Sequence, residues 1–228
     1  MTTSSSGRRG AALVRRRARE REILDATRAL FDARGVRDAQ IEDVARAVGV
    51  NRAIIYRHFS GKEELFALTL VGYLDDLEAR LGAVSTRIGP RKRVKALTEA
   101  FVDFGLEHPA FVDCAQTLMR RPGPELLEEI SESALFRLGR GIASCLRHVT
   151  DALEAGVASG DFKIADVHLL ANTLYASGLG ALQLARVGML VKEAAPGVPV
   201  VAPVSPGQVK DYLVANALAL TTADRSQK

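Results

Sequence analysis

With 228 residues, 47% of them hydrophobic and 25% charged, the chain can bury a substantial core, which excludes a disordered polyelectrolyte for its bulk. Its two cysteines, Cys114 and Cys145, fit no zinc spacing, so no metal site is expected and both read as reduced, mostly buried thiols. The net charge of +4 hides an asymmetry: residues 1–65 carry 14 Lys and Arg against 9 Asp and Glu, and the remainder 17 against 18, a concentration that favours a nucleic-acid partner.

The first twenty residues hold Ser4 to Gly7 and then arginines at 8, 9, 15, 16, 17 and 19, with no apolar run long enough for a secretory signal or membrane anchor. They are expected to form a flexible basic arm, which either follows DNA phosphates or a minor groove or merely solubilises the chain. A cytoplasmic protein with no membrane partner is implied.

From Gln40 to Val48, Ile41, Val44 and Ala45 stand at helical spacing and predict a short helix with one buried face. Gly49 closes it in the left-handed conformation, Val50 turns inward as the plug of the corner, and Asn51 caps a second helix that starts at Arg52. On that helix Ile55 and Phe59 face the core, leaving Arg52, Ala53, Tyr56 and Arg57 outward. Such a face suits DNA: arginine pairs with guanine O6 and N7, alanine touches a thymine methyl, and a tyrosine hydroxyl bonds a phosphate oxygen.

These residues resemble the tetracycline-repressor (TetR) family of bacterial regulators, in detail from about Arg21 to Leu70. ILDATRALFDARGV looks like its first helix, IEDVARAVGV its second, NRAIIYRHF its recognition helix and SGKEELF the start of its fourth, with Gly35, Ala45, Gly49, Val50, Tyr56, Phe59, Lys62, Glu63 and Leu65 at the family's intervals. The resemblance implies an all-α fold of about nine helices: an N-terminal three-helix helix-turn-helix domain and a larger C-terminal helical domain for ligand binding and dimerisation. It further implies a homodimer on a pseudo-palindromic double-stranded DNA operator, with Tyr56, His58 and Lys62 holding phosphates, while the outward position of Arg52, Ala53 and Arg57 predicts that these three read bases. Two positions depart from the family's pattern. Ala39 replaces a threonine that caps the second helix and contacts phosphate, with Glu42 keeping the N3 acid and Asp38 the candidate cap, and Ile54 stands where a small or hydroxylated residue is usual.

Beyond Phe59, Ser60 with Glu63 reads as a capping box opening a helix to about Arg87, stopped by Gly89 and Pro90. Further helices are predicted over Pro90–Glu107, Phe111–Met119, Glu125–Ala158 (bent or split at Gly139 and Gly141), Asp166 to about Val191, and Val209–Thr221. Gly160 is the expected C-cap of the Glu125–Ala158 helix, and Ala194–Pro206 reads as a loop rather than a strand. The domains expected are thus the arm 1–20, the reading domain 21–66 and the ligand-binding and dimerisation domain 67–228.

The penultimate helix carries small residues (Ala171, Ala176, Gly178, Gly180, Ala181) and leucines on both sides, and with Tyr212, Leu213, Ala217 and Leu220 it predicts a two-fold four-helix interface. An apolar cavity for a lipid-like or aromatic effector is expected among Phe101, Phe104, Phe111, Leu118, Met119, Phe136 and Leu174. His148 with Asp151 and Asp166 with His168 lack a nearby nucleophile or further ligand, so no catalytic site and no cofactor are expected. The composite reading is a DNA-binding transcriptional regulator, a repressor, whose operator affinity a small apolar effector changes. The alternative is a small-molecule-binding or carrier protein on the same fold with lost DNA recognition.

Overall fold

A computed structural model describes the backbone of residues 4–222 and the side chains of residues 10–222. In chain order the elements are α1 (Ser4–Arg34), α2 (Ile41–Ala47), α3 (Arg52–His58), α4 (Lys62–Gly82), α5 (Pro90–Glu107), α6 (Pro109–Met119), α7 (Gly123–Glu129), α8 (Glu132–Ala158), α9 (Val167–Val187), β1 (Met189–Ala195), β2 (Val198–Pro203) and α10 (Pro206–Thr222). The fold is helical as expected, with a small antiparallel hairpin added. It divides into two compact units: Met1–Gly72 with Asp113–Leu138, and Tyr73–Val112 with Gly139–Lys228.

In unit 1 the core-facing residues of α1 are Ile23, Thr27 and Phe31, one every four residues, and the Phe31 ring meets Phe66 edge-on at 4.9 Å. Residues 4–20 are not the expected unstructured arm. They extend α1 toward the N-terminus, and residues 11–18 are exposed on every side. Alanine, leucine and arginine between residues 11 and 19 are strong helix formers, so backbone propensity sustains the helix where nothing covers it. The side chains of Arg8 and Arg9 lie outside the described residues.

Unit 2 is built on α5, α9 and α10, which pack against one another, together with the later parts of α4 and α8. Pro90 starts α5 at its first helical position and His108 ends it. Ion pairs tie the layers: Arg80 clamps both oxygens of Glu107 at 2.6 and 2.8 Å, and Lys210 bonds both oxygens of Asp103 at 2.7 and 2.8 Å. Lys163 N donates to Thr221 O at 2.9 Å and holds the chain before α9 to the end of α10.

Several boundaries differ from those expected. The Glu125–Ala158 segment breaks at Ile130–Ser131 rather than at Gly139 or Gly141, both of which remain helical. Ser131 Oγ accepts from Ala134 N at 3.3 Å and so starts a new helix. The helix from Lys62 ends at Gly82, short of Arg87. The next-to-last helix ends at Gly188, whose φ of +69° stops it before Val191. The stretch expected as a loop forms β1 and β2, because Pro196 and Gly197 (φ +77°) turn the chain so that Ala195 faces Val198 and the β-branched residues of both strands pair. The last helix starts at Pro206, three residues early, since Ser205 and Gln208 make a reciprocal capping box: Ser205 N donates to Gln208 Oε1 at 2.9 Å and Gln208 N to Ser205 Oγ at 3.2 Å.

Candidate functional site

The turn before α3 is built from local chemistry. Gly49 adopts φ +66°, Val50 N donates to Ala45 O at 2.9 Å, and the Asn51 side chain accepts from Ile54 N at 3.1 Å. Ile55 and Phe59 are then driven inward, 1% and 2% exposed, which turns Arg52, Ala53, Tyr56 and Arg57 together to the outside. Val50 is half-buried, as its role as a plug requires. The cap of α2 is Gln40 rather than Asp38, and the acid serving it is Asp43, whose Oδ2 accepts from Gln40 N at 3.4 Å. Ala39 is buried.

Glu42 has a different use. Its Oε1 accepts from Arg52 at 2.8 Å, while the other arm of the guanidinium donates to the Tyr56 hydroxyl at 3.2 Å and its plane lies 5.2 Å from the ring centre. The Tyr56 hydrogen bond, with support from Glu42, raises the Arg52 pKa above its ordinary value, so the group is a permanent cation held in one orientation. Lys62 is half-buried with its ammonium 5.0 Å from the Phe66 ring centre, and a long flexible stem lets it swing outward.

Beside the C-terminal end of α3 lies a polar cleft of about 410 Å³, walled by Arg16, Arg57, His58, Ser133 and the Glu20–Arg137 ion pair at 2.6 Å. His58 Nδ1 is buried there without a partner, and burial, reinforced by Arg16, lowers the imidazole pKa, so the ring is neutral near pH 7. At the floor is Glu64, 6% exposed, which accepts from Ser60 N at 2.8 Å, from the Ser60 hydroxyl, and from the Ser131 hydroxyl at 2.6 Å. Burial by itself would push this carboxyl up, but the hydrogen bonds from Ser131 and Ser60 outweigh it and hold its pKa below the ordinary value. The residue that reaches back to Ser60 is therefore Glu64, one later than the Glu63 expected, and Glu63 instead pairs with Arg121 at 3.4 Å.

Unit 2 contains an apolar cavity of about 60 Å³. Phe101 and Leu174 line it as expected, together with Leu97, Cys145, Tyr175 and Leu213 among others. Phe104 and Phe111 do not: they stack edge-on at 5.3 Å and are 2% and 0% exposed, ordinary core beneath the cavity. Leu118, Met119 and Phe136 belong to the other unit. Leu118 is buried, whereas Met119 and Phe136 are 54% and 70% exposed. The inward positions of α8 are Ala134, Leu138, Gly141 and Cys145, and Phe136 falls outside that stripe. Both cysteines are free and buried as expected, with burial pushing the Cys145 thiol up to about 12 and the Cys114 thiol higher.

A glycine-closed corner followed by a capped seven-residue helix with a basic outer face defines a helix-turn-helix protein, here joined to a second helical unit with an internal cavity. A family model described as bacterial regulatory proteins, tetR family, matches residues 23–69. The transcriptional repressor KstR2 of Rhodococcus jostii (strain RHA1) is 30% identical over 149 residues, 64% of this chain and 68% of that protein. The transcriptional activator FasR of Mycolicibacterium smegmatis is 34% identical over 106 residues, 46% of this chain, and the chain spans about half (48%) of FasR. The crystal structure of RolR in complex with resorcinol has the same fold, with a TM-score of 0.65 at 15% identity over 93% of this chain and 91% of that one. The chain belongs to the TetR family of bacterial regulatory proteins. No helix among the described residues is long and apolar enough to cross a membrane.

Proposed function

We propose that this protein is a sequence-specific DNA-binding transcriptional regulator, a repressor, that works as a cytoplasmic homodimer and releases its operator when a small apolar effector binds. The observation that carries the reading is the outer face of α3, where Arg52, Ala53, Tyr56 and Arg57 stand together on a helix whose inner face is locked by Ile55 and Phe59. Arg52, Ala53 and Arg57 read base edges in a major groove, and Tyr56, His58 and Lys62 hold phosphates. Residues 21–66 form the reading domain, and 67–228 serve effector binding and dimerisation through the outer faces of α9 and α10. KstR2, a named repressor, supports the direction of control, and resorcinol, the ligand in the RolR complex, supports a small-molecule effector. The cavity walled by Phe101 and Leu174 is the effector site. Mobility shift with genomic fragments tests the DNA half: a retained fragment with a two-fold repeat is expected, and failure to retain any fragment above random DNA refutes it. An effector must then weaken operator binding, typically by about 1–3 kcal/mol, and the operator must weaken effector binding by the same factor.

A further inference from the structure

The cavity of unit 2 has one polar group that the helices leave unused. Thr98 Oγ1 donates to Val94 O at 2.9 Å and Cys145 Sγ to Leu74 O at 3.4 Å, so both are committed to the backbone. The Tyr175 hydroxyl makes no hydrogen bond with the described residues, although its ring forms part of the cavity wall. That ring is held in place: Phe101 meets it edge-on at 6.0 Å, and Phe111 meets Phe101 edge-on at 6.2 Å. Gly178 admits this arrangement, since a Cβ there would stand 2.7 Å from Phe101 Cε1. Burial raises the pKa of the phenol well above its ordinary value, so it stays protonated and is a donor at any physiological pH. A donor with no protein partner in an otherwise apolar wall is satisfied by a ligand that supplies an acceptor.

Apart from Thr98 and Cys145, the rest of the wall is aliphatic and aromatic, and no charged side chain among the described residues lines it. An anion brought inside would lose its hydration with no cation to replace it. The volume, about 60 Å³, is below the ~150 Å³ of an engineered cavity that admits benzene, which limits the occupant to a molecule smaller than benzene, such as a short or branched chain.

We propose that the effector is an electrically neutral, small apolar molecule bearing one hydrogen-bond acceptor, and that the Tyr175 hydroxyl is the donor that selects it. This rests on the reading of the cavity as the effector site. The test uses acetone, its hydrocarbon isostere isobutene, and acetate, titrated at pH 8 into the full-length protein and into Tyr175→Phe, with binding followed by NMR. The expected result is that Tyr175→Phe weakens the ketone about tenfold and leaves the hydrocarbon unchanged, with no carboxylate binding to either protein. The infrared carbonyl band of bound acetone supplies a second readout that a structural role would not move. It is expected below its frequency in alkane for the wild type and at the alkane value in Tyr175→Phe. Equal losses for both probes, or an unshifted band in the wild type, overturn the role of Tyr175 while leaving the cavity a ligand site. Carboxylate binding as tight as the ketone overturns the neutral class. If neither neutral probe binds the wild type, both this inference and the effector reading of the cavity fall.

Discussion

Arg52 and Arg57, the two arginines proposed to read bases, differ in how they are held. Arg52 is pinned between Glu42 and Tyr56, whereas Arg57 lies exposed beside the polar cleft. Replacing either by alanine is expected to cost about 1–3 kcal/mol on the true operator and to relax preference at one base pair, measured by competition binding against single-base operator variants. Unchanged preference in both would move base reading off this face. Lys62→Ala is expected to weaken all sequences alike and to lower the slope of log affinity against log salt by about one. A mutant that keeps its slope but loses discrimination makes Lys62 a base reader. Glu64 belongs to the same scale because three hydrogen bonds converge on one buried carboxylate. Its folded pKa lies below the ordinary 4.5, so the unfolded state takes up a proton first as pH falls. The stability it contributes is therefore fully present above pH 4.5 and lost as pH drops through the folded value. Glu64→Gln is expected to cost about 1–3 kcal/mol at pH 7 and less in acid, read from urea unfolding at pH 7 and pH 3.5.

At the level of elements, unit 2 depends on close approach between α5 and α9. Gly105 faces Leu182, and a Cβ at residue 105 would lie 2.3 Å from Leu182 Cδ1. Gly105→Ala raises helix propensity in α5 yet must displace a 3% exposed leucine, so packing and propensity oppose each other. Overpacking wins: a net loss of about 1–3 kcal/mol is expected in thermal or denaturant unfolding. An increase in stability would mean that α9 shifts freely on α5. The element boundaries that were legible in the chain are those set within one turn. Pro90 and His108 bound α5, and Gly49 with Asn51 bounds the corner before α3. The break at Ile130–Ser131 was hidden because Ser131 is held by Glu64, 67 residues earlier, and no local pattern carries that distance. The hairpin had a local signal in the valines flanking Pro196–Gly197, but its Pro and Gly content reads equally as a loop until the strands pair.

For the whole molecule, the outer face of α9 is the test of assembly. Leu169, Leu184 and Val187 are 60%, 41% and 59% exposed around Gly180, where a Cβ would meet nothing within 4 Å, and Tyr212 on α10 is 81% exposed. Between Leu169 and Ala185 there is no charged residue. An uncharged surface of small and apolar residues matches the centre of a protein interface. Because Gly180 has open space around it, Gly180→Arg leaves the protomer's own packing intact while placing a charge in the seam. Monomers that still melt cooperatively, with weakened operator binding, are expected by light scattering, thermal unfolding and mobility shift. A wild type that is monomeric at micromolar concentration removes the basis for a palindromic operator.

The chain alone determined the helix-turn-helix and its outward residues, since caps, a positive-φ glycine and a 3.6-residue period act over a few positions and decide which side chains are buried. It also located Phe101 and Leu174 for the cavity, but could not separate them from Phe104 and Phe111, which share the same spacing and lie in solid core. Only the tertiary structure placed Phe136 outside, gave Ser60 and Ser131 to Glu64, paired Glu42 with Arg52, and left Tyr175 as the cavity's unused donor. Each of these depends on which distant helix covers a face. Burial and long-range hydrogen bonds are settled by that cover, whereas periodicity specifies only that a face exists.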